Sequence, residues 1–211
     1  MSAKLNKPTY NDSVFVNCPF DDQYLPLLRA VVFADYRCGF YPASAMVEDN
    51  ALDNRIDKIF RIIENCKYGI HDISRTELNV GNFPRFNMPF ELGVFFGARR
   101  FGKNSQKNKN AIVFERTKYA YQQYLSDING VDTKAHDNSA DNIMRHIRNW
   151  LRTASRRSSI PGAQVIINDF NDFIDQLPSA AALFGFASIN EIPFNDYCTM
   201  VEEALRVKLA K

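Results

Sequence analysis

The stretch FNMPFELG (86–93) holds Glu91, the residue of this 211-residue chain best suited to chemistry. Pro89 is compatible with the first turn of a helix, and an N-cap at Asn87 or Met88 puts Glu91 in that turn as well. A carboxylate there is stabilised by the helix dipole by about 0.3–1 kcal/mol and can complete a capping box, which is its structural interpretation. The same dipole favours the ionised form, which a nucleophile or a group that stabilises positive charge requires.

Two further stretches with polar residues follow predicted strands, namely NCPFDD (17–22) and HDISR (71–75). In an open parallel sheet, ligands bind beyond the carboxyl ends of the strands, where the strand order reverses. Asp72 has a structural interpretation too, because a strand-end aspartate can cap a turn through its side chain. The residues that we expect to converge at this edge of the sheet are Asn17, Asp72, Ser74, Arg75, Asn87 and Glu91.

His71 directly precedes Asp72 in a predicted strand, so its side chain is expected on the opposite face, in the core or against a helix. No second histidine lies at ligand spacing, and the four cysteines lie far apart without a CxxC pair. We therefore expect no metal site and no disulfide framework, and reduced thiols in a cytoplasmic protein.

Strands and helices alternate along the first two thirds of the chain. Short β-branched and aromatic runs predict strands at 13–20, 40–46, 67–74 and 110–115. Helical periodicity between them predicts helices at 21–39, 51–66 and 88–102. The helix at 51–66 is expected to place Ile56, Ile59, Phe60 and Ile63 on one face. This alternation predicts an α/β fold with a doubly wound, flavodoxin-like parallel sheet of four or five strands in residues 13–155.

The pattern changes after SSIPG (158–162), where strand signals end. Helical stretches at 164–177 and 195–209 predict a helical C-terminal extension spanning 156–211. Before it, an amphipathic helix at 140–151 is expected to turn five residues inward, namely Ile143, Met144, Ile147, Trp150 and Leu151. The basic residues beside it are Arg145, Arg148, Arg152, Arg156 and Arg157. We expect this basic face to be solvated and not to read nucleic-acid sequence, because interleaved exposed aromatics are missing.

Composition excludes several classes of function. A net charge of +2 does not indicate a general binder of polyanions. No apolar run reaches the roughly 18 residues that span a bilayer, and the N-terminal stretch has no apolar signal core, so neither a membrane partner nor export is expected. The glycine-rich patterns GxGxxG, GxxxxGK[ST] and GxSxG are missing. Hydride transfer, P-loop phosphoryl transfer and serine hydrolysis therefore lose support, and a carboxylate site remains.

The order VFVNCPF, YGIHDISR and FNMPFELGVFFGARR resembles the nucleoside 2-deoxyribosyltransferase-like family, which is related in fold to TIR-type NAD-cleaving domains. The resemblance covers roughly residues 13–116. It implies that Glu91 is the nucleophile at the anomeric carbon of a sugar and that Asp72 handles the leaving base. It also implies that the first loop frames sugar and base, through Asn17, Pro19 and Phe20.

The expected substrate-binding set also contains Ser74, Arg75, Asn87 and Met88. The expected substrate is a nucleoside, a nucleotide or NAD, with NAD as substrate and no separate cofactor. Arg55 and Arg75 are expected to hold phosphate. Some relatives are effectors of bacterial antiviral defence, and we expect a homo-oligomer. Two alternatives stay open. One is a non-catalytic nucleotide-binding sensor of the same fold, which Phe15 and the longer spacing between Asp72 and the helix favour, because the transferases usually carry tyrosine in the first strand and a DxGT-like spacing. The other is an interaction protein that uses the basic helix face.

Overall fold

A computed structural model describes residues 8–47, 50, 52–75 and 85–210. It contains an all-parallel five-stranded sheet in the order β2-β1-β3-β4-β5. The strands are β1 (Ser13–Asn17), β2 (Tyr41–Ala43), β3 (Tyr68–Asp72), β4 (Asn110–Glu115) and β5 (Lys134–Ala135). The predicted doubly wound α/β fold with C-terminal helices is confirmed.

The described residues form six α-helices. They are α1 (Leu25–Arg37), α2 (Arg55–Asn65), α3 (Asn87–Phe101), α4 (Ala140–Ser155), α5 (Ala163–Leu183) and α6 (Phe194–Leu209). Short 3-10 helices lie at Tyr10–Asp12, Asn104–Asn108, Ala120–Gln123, Ser126–Ile128 and Ile189–Glu191. Within the described ranges, no helix is long and apolar enough to cross a membrane.

The central strands are buried on both faces, as the continuous apolar runs of a parallel sheet require. Every residue of β1 and β3 is buried. On one face, Val14 and Ile70 pack in a core shared with α1 and α4. On the other face, Phe15 packs with α2 and with Phe95 of α3. The sheet therefore has a helix layer on each side.

The C-terminal helices pack on α1 and belong to the same core as the sheet. The Phe33 ring of α1 lies 5.4 Å from Phe170 of α5, measured between ring centroids. The Tyr197 hydroxyl of α6 donates to the Arg29 carbonyl at 3.1 Å, and Arg37 pairs with Asp169 at 2.7 Å. The extension after residue 156 thus forms an outer layer over α1.

Helix α2 differs from its prediction in two respects. It begins at Arg55 and not at residue 51, because the Asn54 side chain accepts from the Ile56 amide at 3.2 Å and caps the helix there. Of the four residues predicted on one face, Phe60 lies outside the core. Phe60 is 44% exposed, and Ile62 takes the inward position beside Ile63. With helical rotation of 100° per residue, residues 59, 62 and 63 share one face and residue 60 lies beside it.

The basic residues of α4 are largely used inside the molecule. Arg148 donates to the Pro161 carbonyl at 2.7 Å, and Arg145 donates to Gln164 at 2.9 Å. Arg157 donates to the Gly39 carbonyl at 2.8 Å and pairs with Asp12. These contacts tie α4 and its C-terminal loop to neighbouring elements.

Candidate functional site

The strand order reverses between β1 and β3, because the chain leaves β1 toward β2 on one side and adds β3 on the other. This reversal opens a crevice at the carboxyl ends of the two central strands, where doubly wound folds bind ligands. Asn17 ends β1, Asp72 ends β3, and α3 begins beside them at Asn87. The topology thus brings the three predicted stretches to one edge.

Asn17 links β1 to the helix that carries Glu91. Its side-chain amide nitrogen donates to the Met88 carbonyl at 2.9 Å and lies 3.0 Å from His71 Nδ1. Asn17 is 2% exposed, and its amide group is engaged within the protein. It positions the start of α3, which is a different task from the direct sugar contact that the resemblance implies.

Glu91 lies in the second turn of α3 and not in the first. The helix begins at Asn87 with Phe86 as N-cap, and its first turn contains no acidic residue. The expectation of a first-turn glutamate that completes a capping box is therefore wrong. The reason is that the helix begins one or two residues before the position that the sequence suggested, with an N-cap that makes no side-chain hydrogen bond.

Glu91 is 9% exposed, and no group in the described part of the chain donates a hydrogen bond to its carboxylate. Burial raises the pKa of Glu91 to about 7, although the nearby Arg55 guanidinium lowers it. Desolvation at this buried position outweighs the helix dipole, so Glu91 is only partly ionised near neutral pH and not held fully ionised as expected. Glu91 therefore exchanges a proton near neutral pH.

The charges of both site carboxylates, Asp72 and Glu91, act on the Cys18 thiol. The Cys18 thiol is fully buried, and burial raises its pKa well above the usual range. The charges of Asp72, Glu91 and Asp21 raise this pKa further. Cys18 stays protonated and is unsuited to act as a nucleophile.

Asp72 is wholly enclosed at the end of β3. The Tyr24 hydroxyl donates to its Oδ2 at 2.5 Å, and the Ser74 amide donates to its Oδ1 at 2.8 Å. His136 Nε2 lies 3.2 Å from Oδ2, close enough for an ion pair but without hydrogen-bond geometry. The Asn138 amide donates to His136 Nδ1 at 3.0 Å, which leaves the ring proton on the nitrogen that faces Asp72.

These contacts join three separate elements at the floor of the crevice, namely the start of α1, the end of β3 and the segment after β5. Burial raises the pKa of the Tyr24 hydroxyl well above its usual range, and the neighbouring Asp72 charge adds to this effect. Tyr24 therefore stays a hydrogen-bond donor at any physiological pH. Both oxygens of Asp72 accept hydrogen bonds, and its side chain is not exposed to solvent. Its geometry therefore suits a role in holding the floor of the crevice in place.

Arg75 and Arg85 converge on one aspartate at the mouth of the crevice. Arg75 lies 3.1 Å from Asp21 Oδ1 and donates to Gln23 at 3.1 Å. Arg85 lies 2.8 Å from Asp21 Oδ2. The two arginines flank residues 76–84, which lie outside the described residues, so Asp21 connects the first loop to both ends of that segment.

The other residues predicted to contact the substrate fall into an exposed pair and a buried pair. Phe20 is 41% exposed, and Asn87 is exposed at the first residue of α3. Pro19 and Met88 are buried beneath them. Phe20 and Asn87 can therefore touch a substrate directly, whereas Pro19 and Met88 shape the surface below.

His71 lies in the core, as expected from its place in β3. Its ring packs between Phe15 and Phe95, with centroid distances of 5.7 and 4.9 Å. Burial, together with the Lys109 charge, lowers the pKa of His71 to about 3, so the ring is neutral. Nowhere in the described ranges do three histidine, cysteine or acidic side chains cluster as metal ligands.

Sequence reasoning missed Tyr24, His136 and Cys18. The pair His136-Asp137 follows β5 as His71-Asp72 ends β3, and this repetition was the available signal for a histidine at the carboxyl edge. Nothing around Tyr24 marks it as a partner of a residue 48 positions away.

Comparisons with protein-family models and with curated protein sequences found no match for this chain.

Proposed function

We propose that the protein cleaves the N-glycosidic bond of a nucleoside, a nucleotide or NAD, with Glu91 as the group that reacts at the anomeric carbon. The supporting observation is a carboxylate at the sheet's switch point, buried and without a hydrogen-bond donor in the described chain. Such a group destabilises the folded protein when ionised, and a cationic reaction centre is a partner that would compensate for this cost.

The chemistry follows from the charge that develops. As the bond between sugar and base breaks, the base leaves with the bonding electrons and the anomeric carbon becomes cationic. Ionised Glu91 stabilises that carbon through its charge or bonds to it, and in the second case the bond between Glu91 and the carbon breaks when water bonds to the carbon, which releases the carboxylate. Water then attacks the same carbon, and Glu91, with a pKa of about 7, can take up the proton that water loses.

The leaving base determines how much further help is needed. A neutral base has to gain a proton, whereas a positively charged nicotinamide leaves without one. Asp72 has both oxygens engaged by Tyr24 and Ser74, so we assign it the positioning of the crevice floor. Glu91 is then the one carboxylate of this pair that is not held by hydrogen bonds in the described chain. This arrangement favours a cationic N-glycoside such as NAD, whose base leaves without gaining a proton.

Two arginines near the crevice suit the phosphates of such a substrate. Arg55 is exposed at the start of α2 and close enough to Glu91 to lower its pKa. Arg75 lies at the mouth, held by Asp21. A guanidinium binds phosphate oxygens through charge-assisted hydrogen bonds. We expect the protein to meet its substrate in the cytoplasm, where nucleotides and NAD are abundant.

The test is product analysis by mass spectrometry after incubation with NAD and a panel of nucleosides and nucleotides. Wild type should release a free base, and Glu91→Gln should lose at least about a hundredfold in rate. Glu64→Gln, an exposed change on α2, is the matched control and should retain full activity. Base release that survives Glu91→Gln contradicts the proposal. Tight nucleotide binding without any product would instead support the sensor alternative.

A further inference from the structure

The outer edge of β4 is covered over only part of its length. β5 pairs with Phe114 and Glu115, and the pair of Phe114 with Lys134 uses the Val113 carbonyl, so residues 110–112 and the Val113 amide have no strand partner on that side in the described chain. Parallel strands turn alternate residues toward each neighbour. The Asn110 amide donates to the Lys67 carbonyl and the Phe114 carbonyl accepts from the Ile73 amide, so the even-numbered residues of β4 bond to β3.

The odd-numbered residues of β4 point the other way. The Glu115 carbonyl accepts from the His136 amide at 3.0 Å, on the side away from β3. By the same alternation, both main-chain groups of Ala111 and the amide of Val113 are directed at the uncovered edge, whereas the Val113 carbonyl is used in the pairing with β5. An uncovered edge of this kind can accept a further strand through its main-chain donors and acceptors.

A cavity of about 740 Å³ lies along this edge. The strand residues Ala111, Ile112 and Val113 line it, with Phe96 of α3 on one side and Trp150 of α4 on the other. A second cavity of about 490 Å³ shares Phe96 and Arg99 with the first. We call the two together the edge groove.

The rim of the edge groove is basic. Its charged lining residues are Arg99, Arg100, Lys107, Lys134 and Asp132. Asp132 is neutralised by Lys134 at 2.6 Å. Arg99, Arg100 and Lys107 make no ion pair with the residues that the structure describes. Since three cations are left uncompensated beside an apolar floor, the groove complements an acidic ligand.

We propose that the edge groove binds an extended acidic segment of a partner protein, which adds a sixth strand to β4. The directed main-chain groups of Ala111 and Val113 match a polypeptide strand, which presents donors and acceptors at the same spacing. Phe96 and Trp150 receive apolar side chains on the two faces of that strand. The rim cations pair with its carboxylates. This binding surface is distinct from the crevice at Glu91 and does not depend on its activity.

Trp150 gives a direct readout, because it is the single tryptophan of the chain and it lines the groove. The probe is a short capped peptide of alternating glutamate and valine, added to the full chain while tryptophan emission is recorded. The emission should shift and saturate. A peptide with lysine in place of glutamate should bind at least about tenfold more weakly.

Two variants separate main-chain pairing from charge. Ala111→Pro removes the outward amide without removing a bond to β3, and it should weaken peptide binding at least about tenfold. Arg99→Glu should weaken it as much without touching the backbone, which keeps the test valid if the proline variant folds poorly. Arg145→Glu makes the same charge change on α4 outside the groove and should bind like wild type.

Equal binding of the glutamate and lysine peptides would overturn the proposal. So would unchanged binding in Arg99→Glu, or an emission shift caused by a short thymidine oligonucleotide and not by the acidic peptide.

Discussion

The side-chain amide of Asn17 donates a hydrogen bond to the main-chain carbonyl of Met88, with 2.9 Å between nitrogen and oxygen. This bond fastens the end of β1 to the first turn of α3, and Glu91 follows three residues later on the same helix. The position of the candidate nucleophile relative to the sheet therefore depends on one asparagine.

Asn17→Ala should lower the free energy of unfolding by about 0.5–1.5 kcal/mol, because it removes a buried hydrogen bond to the Met88 carbonyl, which keeps only its bond within the helix. Base release should fall as well, since α3 loses its attachment beside Glu91. Denaturant unfolding and a rate assay on the same preparation measure both effects. Asn65→Ala removes a similar amide-to-carbonyl bond at an exposed site on α2 and should change stability by less than about 0.5 kcal/mol. Equal effects of the two variants would contradict the positioning role.

Glu91→Gln should make the protein more stable above neutral pH. The pKa of Glu91 is raised from 4.5 to about 7 on folding. The folded state therefore holds the proton more tightly, and its stability declines as the pH rises from about 4.5 to about 7. Glutamine removes this decline, so the variant should gain up to about 3 kcal/mol at about pH 8 and little at about pH 4.5.

Denaturant unfolding of both proteins at the two pH values measures the difference. Glu191→Gln, at an exposed glutamate, is the control and should follow the wild-type pH dependence. A Glu91→Gln variant that is less stable than wild type at high pH would show that the carboxylate is satisfied in the folded protein.

Asp72→Asn should have the opposite effect on stability. The Tyr24 hydroxyl and the Ser74 amide both donate to this buried carboxylate, so an amide nitrogen in place of one oxygen meets a donor and breaks the arrangement. A loss of about 1–3 kcal/mol is expected, as for a buried donor left without its acceptor. Asp175→Asn on the exposed side of α5 is the control. Thermal unfolding is the measurement. An unchanged midpoint would contradict the proposal that Asp72 holds the floor of the crevice in place.

Arg55→Gln should move the pH dependence of base release to higher pH. Arg55 lowers the pKa of Glu91, so its removal raises the pH at which Glu91 becomes ionised. The shift should be about a few tenths of a pH unit and should shrink in high salt, because Arg55 is exposed and its charge is screened. The pH–rate profile measures it, with Arg99→Gln at the far end of α3 as control. A profile that stays in place would mean that ionisation of Glu91 does not limit the rate.

Asp35→Asn should flatten the pH dependence of stability. Neither oxygen of this α1 carboxyl group has a hydrogen-bond partner among the described residues, and burial raises its pKa well above the usual range. Since the folded pKa is raised, stability declines as the pH rises above about 4 in wild type. The asparagine variant lacks this decline, which unfolding curves at about pH 5 and about pH 8 would show. Identical slopes for the two proteins would mean that Asp35 is ionised and paired in solution.

Local patterns in the sequence were sufficient for the sheet and its carboxyl edge. The β-branched runs predicted β1, β3 and β4, and β4 has the predicted bounds, Asn110–Glu115. Because strands joined by helices run parallel, their carboxyl ends had to meet, which placed Asn17, Asp72 and the start of α3 at one edge. Apolar periodicity and strand alternation are properties of neighbouring residues, so they can be read without knowledge of distant contacts.

Only the tertiary structure determined the environment of each side chain at that edge. The sequence contains Tyr24 and His136 as isolated polar residues, and the fold brings both to Asp72 from 48 and 64 positions away. The helix dipole was expected to keep Glu91 ionised, but its burial raises its pKa to about 7. A pKa depends on how much water and which charges surround a group in three dimensions, and chain neighbours supply only a small part of that surrounding.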